Sequence, residues 1–166
     1  MEPGFIDLTA ENIADQHLCC IIRSKKPHPG VEAKRRWLVD RLPEGHVFRK
    51  LDVKEKVFIE YAPLETAWVP VEGDNYLYLY CLWVAGAYKG KGYGRALIEY
   101  VMEQYRGKGH TMLVGTGDSP LTVPFYQRCG FTEHHRVKNF FLDNYDHPIV
   151  ECGVTLRDMV YLSRPL

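Results

Sequence analysis

The segment from residue 81 to residue 97 constrains the fold more than any other part of the chain. A strongly apolar stretch runs directly into a loop with alternating glycines, Gly90, Gly92 and Gly94, and then into an amphipathic helix. Glycine tolerates positive φ and lets a ligand approach the main chain closely. A strand, a glycine-rich turn and a helix N-terminus in this order present backbone N–H groups to an anion. The segment therefore predicts a phosphate-binding loop, to which basic side chains at positions 89, 91 and 95 add positive charge.

Two common phosphate-binding motifs fail to match this loop. A P-loop has its Gly-Lys pair followed by a hydroxyl residue, whereas Lys91 precedes Gly92 and Tyr93 stands in the hydroxyl position. A Rossmann fingerprint has its third glycine three residues after the second, but only one residue separates Gly92 from Gly94. The loop therefore disfavours a nucleotide-binding switch.

Two motifs in the chain resemble the acetyl-CoA signatures of the GNAT family of N-acetyltransferases. The first is Lys89-x-x-Gly92-x-Gly94, in which the family usually has Arg or Gln at the first position. The second is the Phe-Tyr-x-x-x-Gly-Phe sequence of residues 125–131. Ser119, a predicted N-cap, stands seven residues before the tyrosine, where the family commonly has an asparagine. Two motifs in the family's order, separated by one predicted strand, are more specific than either motif alone.

The resemblance implies an acetyl-CoA site. In the family, the strand before the glycine-rich loop splays from its neighbour, and its amides bind pantetheine as an added strand would. By this resemblance the Leu82 amide donates to the thioester carbonyl, Val84 contacts pantetheine, and Tyr126 protonates the departing thiolate. The implied acetyl-CoA contacts are Leu82, Trp83, Val84, Lys89, Gly90, Lys91, Gly92, Tyr93, Gly94, Arg95, Ser119 and Tyr126.

The group that removes the proton from the acceptor amine stays open. Many family members have a glutamate six residues before the position of Val84, where this chain has Tyr78. Strict alternation along a strand would put the tyrosines at 76, 78 and 80 on one face with Leu82 and Val84. That face lines either an acceptor cleft or the core. The candidates for the base are Tyr78, Glu60, Asp118, His134, His135 and a chain of water molecules.

Composition and charge exclude several other classes of protein. The 21 basic and 21 acidic side chains balance, so no overall basic field favours nucleic acid. The five cysteines are odd in number and lack Cys-x-x-Cys spacing, which disfavours a disulfide framework and a metal site. No apolar run is long enough to span a bilayer. The sequence thus predicts a cytoplasmic protein with no membrane segment and no bound metal.

The pattern of segments predicts one domain, residues 1–166, with an α/β (α+β) fold. Strand-like segments with helical patterns between them predict a mixed, mostly antiparallel sheet of six to seven strands with helices on both faces, as the GNAT resemblance also implies. The predicted helices cover residues 10–17, 31–42, 93–105 and about 120–129. The predicted strands cover residues 5–8, 46–51, 56–61, 76–84, 111–114, about 134–141 and 155–162. Residues 24–30 are predicted as a loop, and residues 67–71 as an extended piece, separate or continuing the strand at 56–61.

The resemblance implies an N-acetyltransferase that moves an acetyl group from acetyl-CoA, its co-substrate, to a primary amine by direct attack in a ternary complex. The acceptor would be a small molecule, an amino acid or a peptide, and a homodimer is allowed. The alternative is a catalytically weak CoA-binding sensor or regulatory domain of the same fold.

Overall fold

The computed structural model describes residues 3–20 and 27–166. The strands are β1 (Phe5–Asp7), β2 (Val47–Leu51), β3 (Val57–Pro63), β4 (Tyr76–Val84), β5 (Thr111–Gly117), β6 (Thr132–Val137), β7 (Val150–Glu151), β8 (Val154–Thr155) and β9 (Met159–Pro165). The helices are α1 (Pro29–Arg41), α2 (Tyr93–Tyr105), α3 (Thr122–Arg128) and α4 (Phe140–Asn144). The predicted strand at 76–84 and helix at 93–105 are confirmed at both ends.

Seven of the described strands form one sheet in the order β1-β2-β3-β4-β5-β9-β6. β4 and β5 are parallel, and the other neighbouring pairs of this sheet are antiparallel. β7 and β8 form a small separate hairpin. The predicted mixed and mostly antiparallel sheet is therefore confirmed.

Helices cover both faces of the sheet, each over its own hydrophobic core. On one face, Leu97 of α2 and Tyr126 of α3 belong to a cluster with buried residues of β3, β4, β5 and β9. On the other face, Leu38 of α1 packs with Phe48 and Phe58, whose rings stack at 4.5 Å. We call these the α2 face and the α1 face. The prediction of helices on both faces is confirmed.

The predicted helix at residues 10–17 is wrong. The chain forms a tight turn in which the Thr9 amide donates to Asn12 Oδ1 at 2.8 Å and the Ile13 amide donates to the Thr9 carbonyl at 3.1 Å. An asparagine side chain that bonds to nearby backbone competes with helix propagation. Ile13 and Leu18 are buried, so separate apolar side chains anchor this irregular segment to the α1 face.

α1 begins earlier than predicted, at Pro29, where the missing N–H of proline has no cost. His28 caps the helix, because its Nδ1 accepts a hydrogen bond from the Gly30 amide at 3.0 Å. Of the predicted loop at 24–30, residues 24–26 lie outside the described residues. Residues 67–71 form no strand, since β3 ends at Pro63 and a short 3-10 turn follows.

The last third of the chain is less regular than predicted. The strand expected near residues 134–141 is β6, which ends at Val137, and α4 follows it. Asn139 has φ of 57°, a left-handed conformation that ends a strand. The strand expected at 155–162 begins only at Met159, because Thr155 belongs to the small hairpin.

A β-bulge interrupts the alternation of β4. Cys81 lies opposite Glu60 of β3, whereas Leu79 lies opposite the next residue, Tyr61. Tyr80 is therefore an extra residue with no partner of its own in the register. Such a bulge reverses which side chains point to each face beyond it.

The bulge corrects the predicted sharing of faces along β4. Leu82 and Val84 pack on the α2 face, together with the leucines at 77 and 79. Cys81 and Trp83 pack on the α1 face, where the Tyr80 ring also contacts Trp37 and His46 of the α1 side. The tyrosines of β4 thus do not share a face with Leu82 and Val84.

Candidate active site

An opening between β4 and β5 lies in the middle of the sheet. The parallel pairing of the two strands ends at Leu79 and Val114, although β4 continues to Val84 and β5 to Gly117. Past that point β4 stays paired with β3, and β5 stays paired with β9. The two strands therefore diverge in the described structure.

Two backbone amides of β4 are directed into this opening. The Ala85 amide donates to the Lys56 carbonyl, on the β3 side, at 2.8 Å. Because successive N–H groups of a strand point to opposite sides, the amides of Val84 and Leu82 point away from β3. The resemblance implies that the Leu82 amide donates to the thioester carbonyl and that Val84 contacts pantetheine.

The glycine-rich loop and the N-terminus of α2 follow the opening directly. Gly90 and Gly92 have φ of +74° and +83°, and outside their chain neighbours no described heavy atom lies within 4 Å of a Cβ built on either. Gly92 precedes α2 without a side-chain cap, and its carbonyl accepts from the Ala96 amide at 3.0 Å. The amides of the first helical turn therefore have no acceptor within the helix, and the helix dipole favours an anion there.

Gly94 has a different role from the one predicted. It lies within α2 and is not among the glycines with positive φ. A Cβ built on Gly94 would lie 3.1 Å from Cζ of Phe125 and 3.6 Å from Cγ2 of Val84. The absence of a side chain at this position therefore allows α2 to pack closely against α3.

The basic side chains around the loop are exposed and make different contacts. Lys91 Nζ lies 5.5 Å from the centre of the Tyr88 ring. Arg95 Nη2 donates to the Arg128 carbonyl at 2.8 Å, so this side chain links α2 to the end of α3. Lys89 is exposed. Charges in such positions are screened by salt and attract an anion only weakly.

The side chains of Trp83 and Tyr93, both assigned to the cofactor by resemblance, have other contacts. Trp83 packs on the α1 face, with Lys56 Nζ 6.0 Å from the ring centre. Tyr93 packs edge-on against Phe5 and Tyr88, at 6.3 and 5.7 Å between ring centres. Both side chains are nonetheless partly exposed.

Tyr126 lies on α3 and is only 6% exposed. Its ring packs edge-on against Phe125 and Phe131, with ring centres 5.2 and 5.4 Å away. Burial raises the pKa of its hydroxyl well above the usual value, and the nearby Cys81 and Tyr78 raise it further. The phenol therefore stays protonated at neutral pH and can act as a proton donor.

Ser119 closes the turn that precedes α3. Its buried hydroxyl accepts a hydrogen bond from the Leu121 amide at 3.1 Å, and its carbonyl accepts from Val123 at 3.3 Å. α3 begins at Thr122, later than the sequence predicts. Pro124 therefore lies in the first turn, where its missing N–H leaves no intrahelical bond unmade.

Tyr78 and Asp118 are poorly suited to accept a proton. Burial, together with Tyr161 and Tyr80, raises the pKa of Tyr78 to about 12, so its phenol is already protonated at neutral pH. Asp118 Oδ1 accepts the Arg157 amide at 2.8 Å, which gives this carboxylate a structural role between two loops.

His134 and His135 lie on β6, at the edge of the sheet, and β9 separates this strand from β5. Their Nδ1 atoms are 2.8 Å apart, and the His135 ring stacks on Tyr161 at 4.4 Å. Burial lowers the pKa of His135, and the neighbouring His134 lowers it further. β6 therefore lies two strand spacings, about 10 Å, from β5. The His134 ring nevertheless reaches Tyr76 at the start of β4, with ring centres 6.2 Å apart.

Glu60 is a buried carboxylate on the α1 face, opposite Cys81 in the register. Its side chain is 2% exposed, with Oε2 2.6 Å from Lys34 Nζ and Oε1 2.9 Å from His46 Nε2. It lines a cavity of about 630 Å³ between α1, β3 and β4. No motif or spacing in the sequence indicated Lys34 or His46, because both residues are distant from Glu60 along the chain.

Comparison with known proteins identifies the family. Residues 11–131 match the family model described as the acetyltransferase (GNAT) family. This chain belongs to the GNAT family. An uncharacterised N-acetyltransferase of Bacillus subtilis strain 168, YoaP, is 35% identical over 142 residues, covering 82% of this chain and 57% of the relative. A second uncharacterised N-acetyltransferase of that strain, YvbK, is 39% identical over 74 residues, 43% of this chain and 48% of the relative.

The GNAT chain thus spans about half the length of these curated relatives. Among solved structures, the IAA acetyltransferase from Bacillus cereus ATCC 14579 has a TM-score of 0.65 and 24% identity, covering 98% of this chain and 99% of that chain. A GNAT family acetyltransferase from Elizabethkingia anophelis with acetyl-CoA bound has a TM-score of 0.64 and 22% identity, covering 99% of both chains. A Bacillus subtilis acetyltransferase in complex with CoA has a TM-score of 0.61 and 22% identity, covering 86% and 95%. At these identities the likeness shows the fold alone.

Three further features of the GNAT chain concern metals, membranes and cysteines. Among residues 3–20 and 27–166, no group of three or more His, Cys, Asp or Glu side chains is arranged to hold a metal ion. The described helices include none with the length and apolar character needed to cross a membrane. No disulfide joins the cysteines in the described ranges.

Proposed function

We propose that this GNAT chain transfers an acetyl group from acetyl-CoA to the primary amine of a small molecule, an amino acid or a peptide, by direct attack in a ternary complex. The observation that carries this proposal is the opening between β4 and β5, into which the amides of Leu82 and Val84 are directed. The Elizabethkingia anophelis and Bacillus subtilis structures with the same fold hold acetyl-CoA and CoA.

The groups around the opening fit the phosphates and the pantetheine of acetyl-CoA. The positive φ of Gly90 and Gly92, with open space beside both residues, lets a bulky anion approach the loop amides. The first turn of α2 adds its unbonded amides and the positive end of its dipole. Pantetheine would run along the free edge of β4, with its amide groups hydrogen-bonded to the main chain of Leu82 and Val84.

The proposed chemistry assigns one role to each of two groups. The Leu82 amide donates to the carbonyl oxygen of the thioester, where negative charge develops as the amine nitrogen bonds to the carbonyl carbon. The Tyr126 hydroxyl gives its proton to the departing sulfur. The raised pKa of Tyr126 keeps this proton in place until the C–S bond breaks.

Turnover distinguishes this function from that of a CoA-binding sensor domain. Purified protein is incubated with acetyl-CoA and a panel of primary amines, and free CoA thiol is measured together with the N-acetylated product. An acetyltransferase releases one CoA for each acetylated amine. Tight CoA binding without release for any amine would favour the sensor and contradict the proposed transfer.

CoA binding should stabilise the fold measurably. A ligand that binds only the native state, at about 100 times its dissociation constant, adds about 2.7 kcal/mol. For a domain of this size we expect the melting temperature to rise by about 5–10 °C. Differential scanning fluorimetry with CoA, and with ATP as the control nucleotide, checks this prediction. A rise with ATP and none with CoA would contradict an acetyl-CoA site.

We also propose that residues 1–166 act as one acetyltransferase domain in the cytoplasm. The proposal of one domain rests on the seven-stranded sheet, to which strands from both ends of the described chain contribute. The proposal of a cytoplasmic location rests on the cysteines, which form no disulfide in the described residues and fit a reducing compartment.

A further inference from the structure

The cavity on the α1 face has a charged floor that the proposed function leaves unused. Glu60 lies at this floor and is held from two sides, by Lys34 of α1 at 2.6 Å and by His46, which precedes β2, at 2.9 Å. A carboxylate has about four acceptor positions on its two oxygens. Because Lys34 and His46 occupy one position on each oxygen, Glu60 can accept a further N–H donor without losing either partner.

The walls of the cavity are mostly apolar. Apart from Glu60 and Lys34, the described part of the lining consists of Ala33, Trp37, Phe58, Tyr80 and three cysteines at 19, 20 and 81. Among the described lining residues the cation is Lys34, which is already paired with Glu60. Against these described residues, a substrate carboxylate would compete with Glu60 for Lys34, and a second substrate cation would find no second anion. These walls suit a monoamine with an apolar or aromatic body.

Cys81 connects this cavity to the opening between β4 and β5. Its side chain lines the cavity, and the next residue along β4, Leu82, directs its amide into the opening. One residue of strand advances about 3.4 Å. The pKa of the Tyr126 hydroxyl is raised by burial and then by the nearby Cys81. The cavity and the proposed thioester position are thus neighbours across β4.

We propose that this cavity receives the acceptor, a primary monoamine on an apolar, preferably aromatic body, and that Glu60 accepts the proton that the amine loses. The inference rests on the proposed acetyl transfer and names its substrate class and its base. It gives the buried Glu60–Lys34–His46 group a function beyond holding α1 to the sheet.

The proton balance of the step is complete. The ammonium form of the substrate gives one proton to Glu60, and the nitrogen lone pair forms the N–C bond. The C–S bond breaks with its electron pair on sulfur, which takes a proton from Tyr126. The second proton lost by nitrogen restores the Tyr126 hydroxyl, and the proton on Glu60 passes to solvent. The sum is ammonium plus thioester giving amide, thiol and one proton.

The test compares four amines that differ in one property at a time. 2-Phenylethylamine is the expected substrate, ethylamine lacks the ring, phenylalanine adds a carboxylate, and spermidine adds further cations. We expect kcat/KM for 2-phenylethylamine to exceed that for ethylamine by about 10- to 100-fold, because the ring is buried. It should exceed the values for phenylalanine and spermidine by about tenfold or more, because their extra charges are unpaired in the cavity.

A Glu60→Gln variant separates a catalytic role from a structural one. Its kcat/KM for 2-phenylethylamine should fall about 100-fold near neutral pH. The difference in kcat/KM between the wild type and this variant should shrink about tenfold for each unit by which the pH rises, up to the pKa of the amine. Without the base, the variant can use only amine that is already neutral in solution, and that fraction grows about tenfold per pH unit. Between about pH 6 and about pH 9.5, the kcat/KM of the wild type should change less with pH than that of the variant. The titratable and charged groups that face Glu60 are Lys34, His46, Tyr80, Cys81 and Cys20.

Two further variants make the result interpretable. Glu72→Gln carries the same change on an exposed side chain of the loop before β4 and should keep the wild-type profile. The double variant Lys34→Met/Glu60→Gln leaves no unpaired charge among the described lining residues and replaces the single variant if that one does not fold. Folding and CoA binding of each variant are checked by its melting shift with CoA.

The outcomes distinguish this inference from the proposed function. If the wild type releases no CoA with any amine, the proposed function fails, and this inference fails with it. If the wild type acetylates amines but prefers phenylalanine or spermidine, only this inference fails. It also fails if a folded, CoA-binding Glu60→Gln or double variant has a pH profile parallel to that of the wild type.

Discussion

Replacing Tyr126 by phenylalanine is expected to lower kcat about 100-fold while the fold and the affinity for CoA stay close to wild type. The change removes one hydroxyl and keeps the ring that packs between Phe125 and Phe131. Loss of a general acid typically costs about 10²- to 10⁴-fold, and a thiolate is a good leaving group, so the lower end applies. Steady-state kinetics with an acetylated amine measures the effect, and calorimetry with CoA measures binding.

Two other tyrosines provide the controls for this prediction. Tyr105→Phe removes a partly buried hydroxyl at the end of α2, outside the candidate site, and should leave kcat unchanged. Tyr78→Phe should preserve the shape of the pH profile, because burial raises the pKa of Tyr78 to about 12 and keeps it from acting as the base. A folded Tyr126→Phe protein that turns over at the wild-type rate would contradict the assignment of the acid.

The second large effect is expected at Gly92, where valine should raise the dissociation constant of CoA about tenfold or more. Gly92 has φ of +83°, and a left-handed conformation costs a residue with a Cβ about 1–2 kcal/mol. The loop would leave this conformation and turn its amides away from the phosphates. Isothermal titration with CoA measures the loss.

The variants Gly94→Val and Lys89→Ala distinguish three causes of weaker CoA binding: a changed backbone conformation, lost packing and lost side-chain charge. Gly94→Val should act mainly on stability, by about 1–3 kcal/mol, because its side chain would press on Phe125. Lys89→Ala removes one exposed, screened charge and should weaken CoA binding by less than about fivefold. Equal losses of affinity in Gly92→Val and Lys89→Ala would mean that side-chain charge, and not the backbone, binds the phosphates.

The sequence predicted the parts of the site that depend on local backbone geometry. The strand at 76–84, the loop and the helix at 93–105 are specified by adjacent residues, and positive φ is confirmed at Gly90 and Gly92. Gly94 belongs to the same motif, but its role depends on Phe125, which is distant along the chain. A motif identifies the residue in such a case without giving the physical reason for it.

Other features could not be predicted because they arise between strands and helices. The bulge at Tyr80 depends on the register with β3, and it moves Leu82 to the α2 face against the simple alternation. The surroundings of Glu60 combine α1, β3 and the residue before β2, so no spacing in the sequence signals them. The false helix at 10–17 shows how one side chain, Asn12, can favour a turn over a weak helical pattern.

The most direct test of acetyl transfer is a single-turnover reaction with isotopically labelled acetyl-CoA, with protein in excess over the label and an amine acceptor present or absent. The intact protein, the amine product and free CoA are quantified by mass spectrometry at successive times. Direct attack in a ternary complex predicts that label passes to the amine in equal amount to the CoA released, while the protein gains no acetyl group. An acetylated protein that forms and decays before the product appears, or CoA release without acetylated amine, would contradict the mechanism.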